Sequence, residues 1–344
     1  MDVSLFDYKL PKELIAQFPE RNRDKSRLLI LDRATGGIRH AKFKSVLDYL
    51  EPGDALVVNN TKVFKARLWG NRESGAKVEV FLVRRESNDE ECWHALVSPS
   101  RRVKEGERIY FDKHFVTLEN YKGLGGWTVR FPSKTARETI IARYGHVPLP
   151  HYINRDDRPS DIRRYQTVFA DKGKTGAVAA PTAGFHFTRP ILNELGEKGV
   201  ETVELTLHVG PGTFKPIKTD NIDEHKVDPE YAELPPSAAE KLSAVKARGG
   251  RIVAVGTTSV RTLESAKIKD GEILPFAGMV DLYIKPGYKF RLVERLVTNF
   301  HLPQSSLLVL VSAFAGRETI LRTYAEAVRK RYRFYSYGDA MLIL

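Results

Sequence analysis

The run Gly176-Ala177-Val178-Ala179-Ala180-Pro181-Thr182-Ala183-Gly184-Phe185-His186-Phe187-Thr188 sets the architecture of this chain. Its first half is small and apolar, as expected of a strand buried on both faces. Pro181 and Gly184 break that pattern, and an aromatic–His–aromatic step follows. Thr188 is then an N-cap candidate for a helix running to about residue 198. Strand, tight turn, exposed histidine and helix start form the arrangement in which open α/β sheets place ligands. A plainer reading leaves His186 satisfying a turn and the glycines relieving crowding.

Downstream, strands and helices alternate. Glu201–Leu207 reads as a strand ending at His208-Val209-Gly210-Pro211-Gly212-Thr213-Phe214. A helix is expected over 237–248, a strand over 251–255, and after Gly256-Thr257-Thr258-Ser259 a helix to about 267. A strand over 280–285, a buried helix over 305–315 and a basic helix over 318–331 complete this half. Upstream, Ala55-Leu56-Val57-Val58 is an apolar strand that ends in Asn59-Asn60-Thr61-Lys62. Helical spacing is also visible over 10–16 and 43–50, and 155–164 reads as a charged, solvated loop.

Between these halves the texture changes. Short segments over 64–69, 77–83, 92–97, 108–111, 115–118 and 127–131 alternate with Gly/Asn/Asp/Ser turns, the pattern of a small closed β-sheet. The expected fold is therefore a discontinuous α/β catalytic domain, residues 1–62 and 149–344, with a mixed, largely parallel sheet. Residues 63–148 form a small β-barrel domain inserted into it.

The 344 residues carry a net charge of +12, which favours polyanionic partners. Cys92 is the only cysteine, so a disulfide framework is excluded and a reducing, cytoplasmic setting is expected. The first residues lack the basic-then-apolar layout of a signal peptide, and the longest apolar run, over 307–315, is too short to span a bilayer. No Walker loop or GxGxxG fingerprint occurs, and the histidines show no HExxH or cysteine pairing, so no metal site is expected. With no apolar oligomerisation stripe, a monomer is expected.

Polar knots follow the predicted strands: Asn59, Asn60, Thr61 and Lys62; Pro181, Thr182, Gly184, Phe185 and His186; His208, Gly210 and Thr213; Thr257, Thr258 and Ser259. A further knot, Asn299 with His301, precedes a helix. The carboxyl ends of parallel strands share one rim, so these knots should converge on one cleft. Glu264, Asp281 (read as lying within an apolar strand) and Asp339 are the carboxylates to weigh. Residues 329–337, which include Tyr337, interleave cations with aromatics suited to phosphate and base contacts.

At Val57-Val58-Asn59-Asn60-Thr61-Lys62-Val63 with Ala66-Arg67-Leu68, at Tyr165-Gln166-Thr167-Val168-Phe169, and over 176–187, 207–214, 255–265, 297–303, 311–316 and 332–341, the chain resembles a known family. It is that of S-adenosylmethionine:tRNA ribosyltransferase-isomerases, enzymes of queuosine biosynthesis. The likeness spans nearly the whole chain in order; Lys65, Phe185 and Val280 depart from the usual proline, leucine and threonine. It implies an α/β body with an inserted β-barrel. It also implies transfer and isomerisation of the ribosyl part of S-adenosylmethionine onto 7-aminomethyl-7-deazaguanine at the tRNA wobble position. The product is epoxyqueuosine, with adenine and methionine released and no cofactor beyond the consumed S-adenosylmethionine.

Under that reaction, His186 and His208 are the acid/base candidates, because the methylene beside a sulfonium must lose a proton. Asp281 or Glu264 would balance the sulfonium. Thr257, Thr258 and Ser259 would hold a carboxylate or phosphate, and Lys62, Arg67 and Arg261 would address phosphates. Phe185, Phe300 or Tyr337 would receive the everted base. The alternatives are a tRNA methyltransferase, which would yield S-adenosylhomocysteine instead, and a non-catalytic RNA-binding module that consumes no S-adenosylmethionine.

Overall fold

A nine-stranded mixed sheet forms the centre of the computed structural model, which describes residues 1–86, 89–214 and 216–344, with the backbone alone at Thr213 and Phe214. Across the sheet the strands run Phe276–Val280, Glu230–Leu234, Glu201–Leu207, Ala55–Asn59, Ile252–Val255, Arg295–Asn299, Ala340–Ile343, Arg27–Leu31 and Ile38–Lys42. Glu201–Leu207, Ala55–Asn59, Ile252–Val255 and Arg295–Asn299 pair in parallel at the centre. Ala340–Ile343 runs antiparallel to Arg295–Asn299 but parallel to Arg27–Leu31, and the two outer margins are antiparallel.

Both faces of the sheet are covered, which is why its central strands read as unbroken apolar runs. Val57, Leu205, Ala254 and Leu296 pack on one face against helices Pro236–Ala247, Thr257–Ser265, Ser306–Ala315 and Arg317–Arg329. Leu56, Val58, Val253 and Val297 pack on the other, against helix Arg189–Glu197 and the 3₁₀ helix Phe43–Tyr49. Thr188 caps Arg189–Glu197 as expected, its hydroxyl accepting from the Ile191 N–H at 3.4 Å.

A second sheet closes on itself. Arg67–Asn71, Lys77–Glu86, Asp89–Ser98, Gly126–Arg130, His114–Gly123 and Arg108–Phe111 follow one another antiparallel, and Asn71 pairs with Tyr110 to complete a six-stranded barrel. Leu68, Val80, Leu82, Val97, Ile109 and Val129 fill it, as the period-two alternation requires.

The opening stretch differs from its expected form. Only Thr175–Ala177 is a strand, paired in parallel with Lys62–Val63 outside the large sheet. Its small residues serve another purpose: Val178 enters the barrel core, Ala179 packs with Leu207 and Val209, and Ala177 and Ala180 pack with Tyr165 and Tyr337. Consecutive side chains thus meet three separate packing layers, and buried connector and buried strand have the same apolar signature. Residues 10–16 hold only a 3₁₀ turn, Lys12–Leu14, and 43–50 a 3₁₀ helix. The strand expected over 280–285 is Phe276–Val280, whose register with Glu230–Leu234 ends at Val280, so Asp281 is an exposed loop residue and not an apolar-strand charge. The charged segment 155–164 is tied down by a bidentate pair, Arg155 to the buried Asp161 at 2.7 and 2.9 Å. Among the described residues, no helix is long and apolar enough to cross a membrane.

Candidate active site

The four central parallel strands end on one rim, and the segments that follow them are joined there by hydrogen bonds. Asn59 acts as a clasp: its amide Nδ2 donates to the Leu207 carbonyl at 2.9 Å and to Thr258 Oγ1 at 3.3 Å. Its Oδ1 accepts from the N–H groups of Thr61 and Leu207. Thr61 Oγ1 in turn meets His208 Nδ1 at 2.8 Å. On the other side, Thr182 Oγ1 donates to Asn299 Oδ1 at 3.0 Å, and Asn299 Nδ2 lies 3.3 Å from His186 Nε2. Pro181, Thr182, Thr257, Thr258, Asn299 and His301 line one small cavity on this rim.

At the centre of the rim, Gly256 turns the chain with φ +87°, a region open to glycine at little cost. Helix Thr257–Ser265 starts at that turn and no side chain caps it, so its first N–H groups and the positive end of its dipole remain for an anion.

Beside the rim, a cleft of about 1190 Å³ separates barrel from body. Lys65, Arg84, Arg85, Trp93 and Lys122 lie on its barrel side, with His208, Gly210, Tyr231 and Met279 on the body. The Trp93 indole N–H is buried without a partner among the described residues. Gly176 matters here: a Cβ at this position would stand 2.7 Å from His208 Nε2, so the missing side chain keeps that nitrogen accessible.

The three rim histidines differ sharply. His208 is half-buried on the cleft, its pKa lowered by burial and by the nearby Lys174 cation. His186 is buried, not exposed as expected, with Nδ1 2.7 Å from Ser26 Oγ and the ring 5.0 Å from that of Phe43. Burial pushes His186 down to about 4, and His301, bonded to Thr298 Oγ1 at 2.9 Å, down to about 3. Unfolding would restore both to their ordinary value near 6.5. The stability they confer is therefore complete above pH 6.5 and is lost as pH falls toward their folded values. Urea titrations should show a loss of about 2 kcal/mol per histidine between pH 7.5 and pH 5. In His186→Asn/His301→Asn this part of the pH dependence should vanish; an unchanged slope would refute the assignment.

Other candidates are committed elsewhere. Glu264 is fully buried; Oε1 accepts the N–H groups of Leu292 and Val293, and Oε2 those of Arg291 and the Tyr288 hydroxyl. Arg261 pairs with buried Glu230 and donates to the carbonyls of Leu282 and Val280. Arg67 pairs with Glu79 at 2.8 Å and bonds the Leu149 carbonyl. Asn60 bonds Glu204 and Thr206, Ser259 the Val255 carbonyl, and the Gly210 N–H donates to Glu230. Asp339 braces the backbone N–H groups of Arg27 and Arg333. Lys62 is half-buried beside Thr175, and Gly184 packs under Thr167. The Thr213 side chain lies outside the described residues. Phe185 and Tyr337 stack on each other at 5.8 Å in a closed cluster, and Phe300 is fully enclosed by Tyr324, Tyr332 and Phe334. None of these three rings is exposed to receive a base.

Tyr231, Met279 and the turn residue Leu124 are cleft-lining residues that the sequence does not mark as such. The alternating Glu230-Tyr231-Ala232-Glu233-Leu234 was the available signal for the first of them.

An α/β sheet whose parallel strand ends form a polar rim, facing a basic cleft roofed by a β-barrel, defines a multi-domain α/β protein with a ligand-binding rim at the carboxyl ends of its strands. The profile of the queuosine biosynthesis protein family matches residues 3–343, and the chain belongs to that family. It is 50% identical to the S-adenosylmethionine:tRNA ribosyltransferase-isomerase of Carboxydothermus hydrogenoformans, covering 100% of both chains. With the protein of the same name from Syntrophomonas wolfei it shares 49% identity, over 99% of this chain and 97% of that one. The crystal structure of an S-adenosylmethionine tRNA ribosyltransferase from Thermotoga maritima matches at 38% identity with a TM-score of 0.56, covering 99% of this chain and 100% of that one.

Proposed function

We propose that this protein transfers and isomerises the ribosyl part of S-adenosylmethionine onto 7-aminomethyl-7-deazaguanine at the tRNA wobble position, giving epoxyqueuosine and releasing adenine and methionine. The observation that carries this reading is end-to-end identity of about half with relatives bearing the ribosyltransferase-isomerase name. The rim and the basic cleft supply a site of the right character. His208 is the general base: Nδ1 faces Thr61 and Nε2 faces the space kept open by Gly176. With Nδ1–H donating to Thr61, the Nε2 lone pair is free to take a proton from the ribose methylene beside the sulfonium. The uncapped start of helix Thr257–Ser265 holds the methionine carboxylate, and Thr182, Asn299 and His301 supply polar contacts around it. Cations on the barrel side of the cleft approach RNA phosphates, and residues 63–148 act as an inserted RNA-facing domain.

S-adenosylmethionine is consumed, so this chemistry calls for no further cofactor. A cytoplasmic monomer fits the reading. The deciding experiment incubates the protein with tRNA carrying the aminomethyl base and labelled S-adenosylmethionine, then weighs the products. Adenine, methionine and a ribosyl-derived mass increase on the base are expected; S-adenosylhomocysteine would show a methyltransferase instead.

A further inference from the structure

The rings named from sequence for the everted base are all sealed in packed clusters, yet the cleft beside His208 presents a different one. Tyr231 stacks on the His208 ring, with centroids 5.6 Å apart and planes inclined by 23°. The His208 N–H donates to the Tyr231 carbonyl at 2.9 Å, which fixes the two residues side by side. Tyr231 remains 40% exposed, and its cross-strand neighbour Met279 is 53% exposed. An aromatic ring and a thioether side by side on a solvent-facing strand pair are a soft surface, backed by His208 and otherwise open to the cleft. From the barrel, the hairpin tip at Leu124 also lines the cleft, held at positive φ between glycines and fully exposed.

We propose that Tyr231, flanked by Met279, is the platform on which an unpaired RNA nucleobase stacks inside the cleft, with Leu124 closing on it from the barrel hairpin. The proposal rests on RNA being the substrate. Three features of the cleft favour a nucleobase over an apolar peptide. The platform is an aromatic ring beside a histidine at the polar rim. The barrel side of the same cleft carries Lys65, Arg84, Arg85 and Lys122, a phosphate-seeking set. The cleft, at about 1190 Å³, also exceeds the roughly 300–1,000 Å³ of an ordinary small-molecule pocket, leaving room for a nucleoside beside a second substrate. Stacking on a protein ring tolerates any base, so Tyr231 holds the base while the rim selects it.

The test uses the full-length protein and an RNA anticodon stem–loop with 2-aminopurine at the wobble position, whose fluorescence is quenched by stacking. Tyr231→Phe should bind this RNA like the unaltered protein, with the fluorophore quenched. Tyr231→Ala should bind about 5- to 150-fold more weakly and leave the bound fluorophore bright. Calorimetric binding of S-adenosylmethionine without RNA should stay the same in both variants. A Tyr231→Ala protein that binds and quenches normally overturns the platform while leaving the ribosyltransferase reading intact. Equal loss of S-adenosylmethionine binding also overturns it, because the lesion would then lie in the rim. If the unaltered protein binds no RNA, the platform and the RNA substrate fall together.

Discussion

His208→Ala should lower kcat by about 10²- to 10⁴-fold, the range over which a positioned general base contributes, while leaving the fold intact. The residue is only half-buried, and truncating it leaves the buried Thr61 hydroxyl facing the space that the ring vacates beside the cleft. Because burial and Lys174 lower the His208 pKa, the working neutral form persists through neutrality. The acid limb of kcat/KM should therefore fall below pH 6.5, as His208 protonates, and disappear in the variant. Gly176→Ala offers an independent check, since its methyl group would sit 2.7 Å from Nε2 and block that nitrogen without removing it. A folded His208→Ala enzyme with near-normal turnover would end the general-base assignment. His186 should behave differently, for its nitrogens already face Ser26 and Asn299, and its replacement should show first in acid stability.

Glu264→Ala should cost about 3–5 kcal/mol of folding stability, because it strands buried donors as well as opening a cavity. The carboxylate gathers the N–H groups of Arg291, Leu292 and Val293 at 2.9–3.0 Å and the Tyr288 hydroxyl at 3.1 Å. It thereby ties the end of helix Thr257–Ser265 to the segment entering strand Arg295–Asn299. Glu264→Gln retains one acceptor oxygen and should fall between the two proteins. Urea denaturation separates this structural role from charge balance at a sulfonium. A Glu264→Ala protein with the original midpoint but no turnover would mean that the carboxylate serves the reaction.

The barrel and the α/β body are legible along the chain because their cause is local. Period-two alternation in 77–83 and 92–97 states which side chains face the barrel interior. The unbroken apolar runs of 55–58 and 252–255 state that both faces are covered. Even the meeting of distant knots at one rim follows from the common direction of parallel strands.

Openness is not local, and there the chain is silent. His186 and His208 have similar apolar and polar neighbours in order, but Phe43 and Ser26, remote in sequence, close over the first. The gap left by Gly176 opens the second. Asp281 looks buried within its apolar run until the register of Phe276–Val280 with Glu230–Leu234 ends one residue earlier. Tyr231 and Leu124 belong to separate layers, and nothing in their own segments announces that they border one cleft. Repeat spacing and turn chemistry along the chain establish which elements exist and which way their faces point. Packing between segments that lie tens to more than a hundred residues apart establishes which polar groups end up sealed, paired or free to meet a substrate.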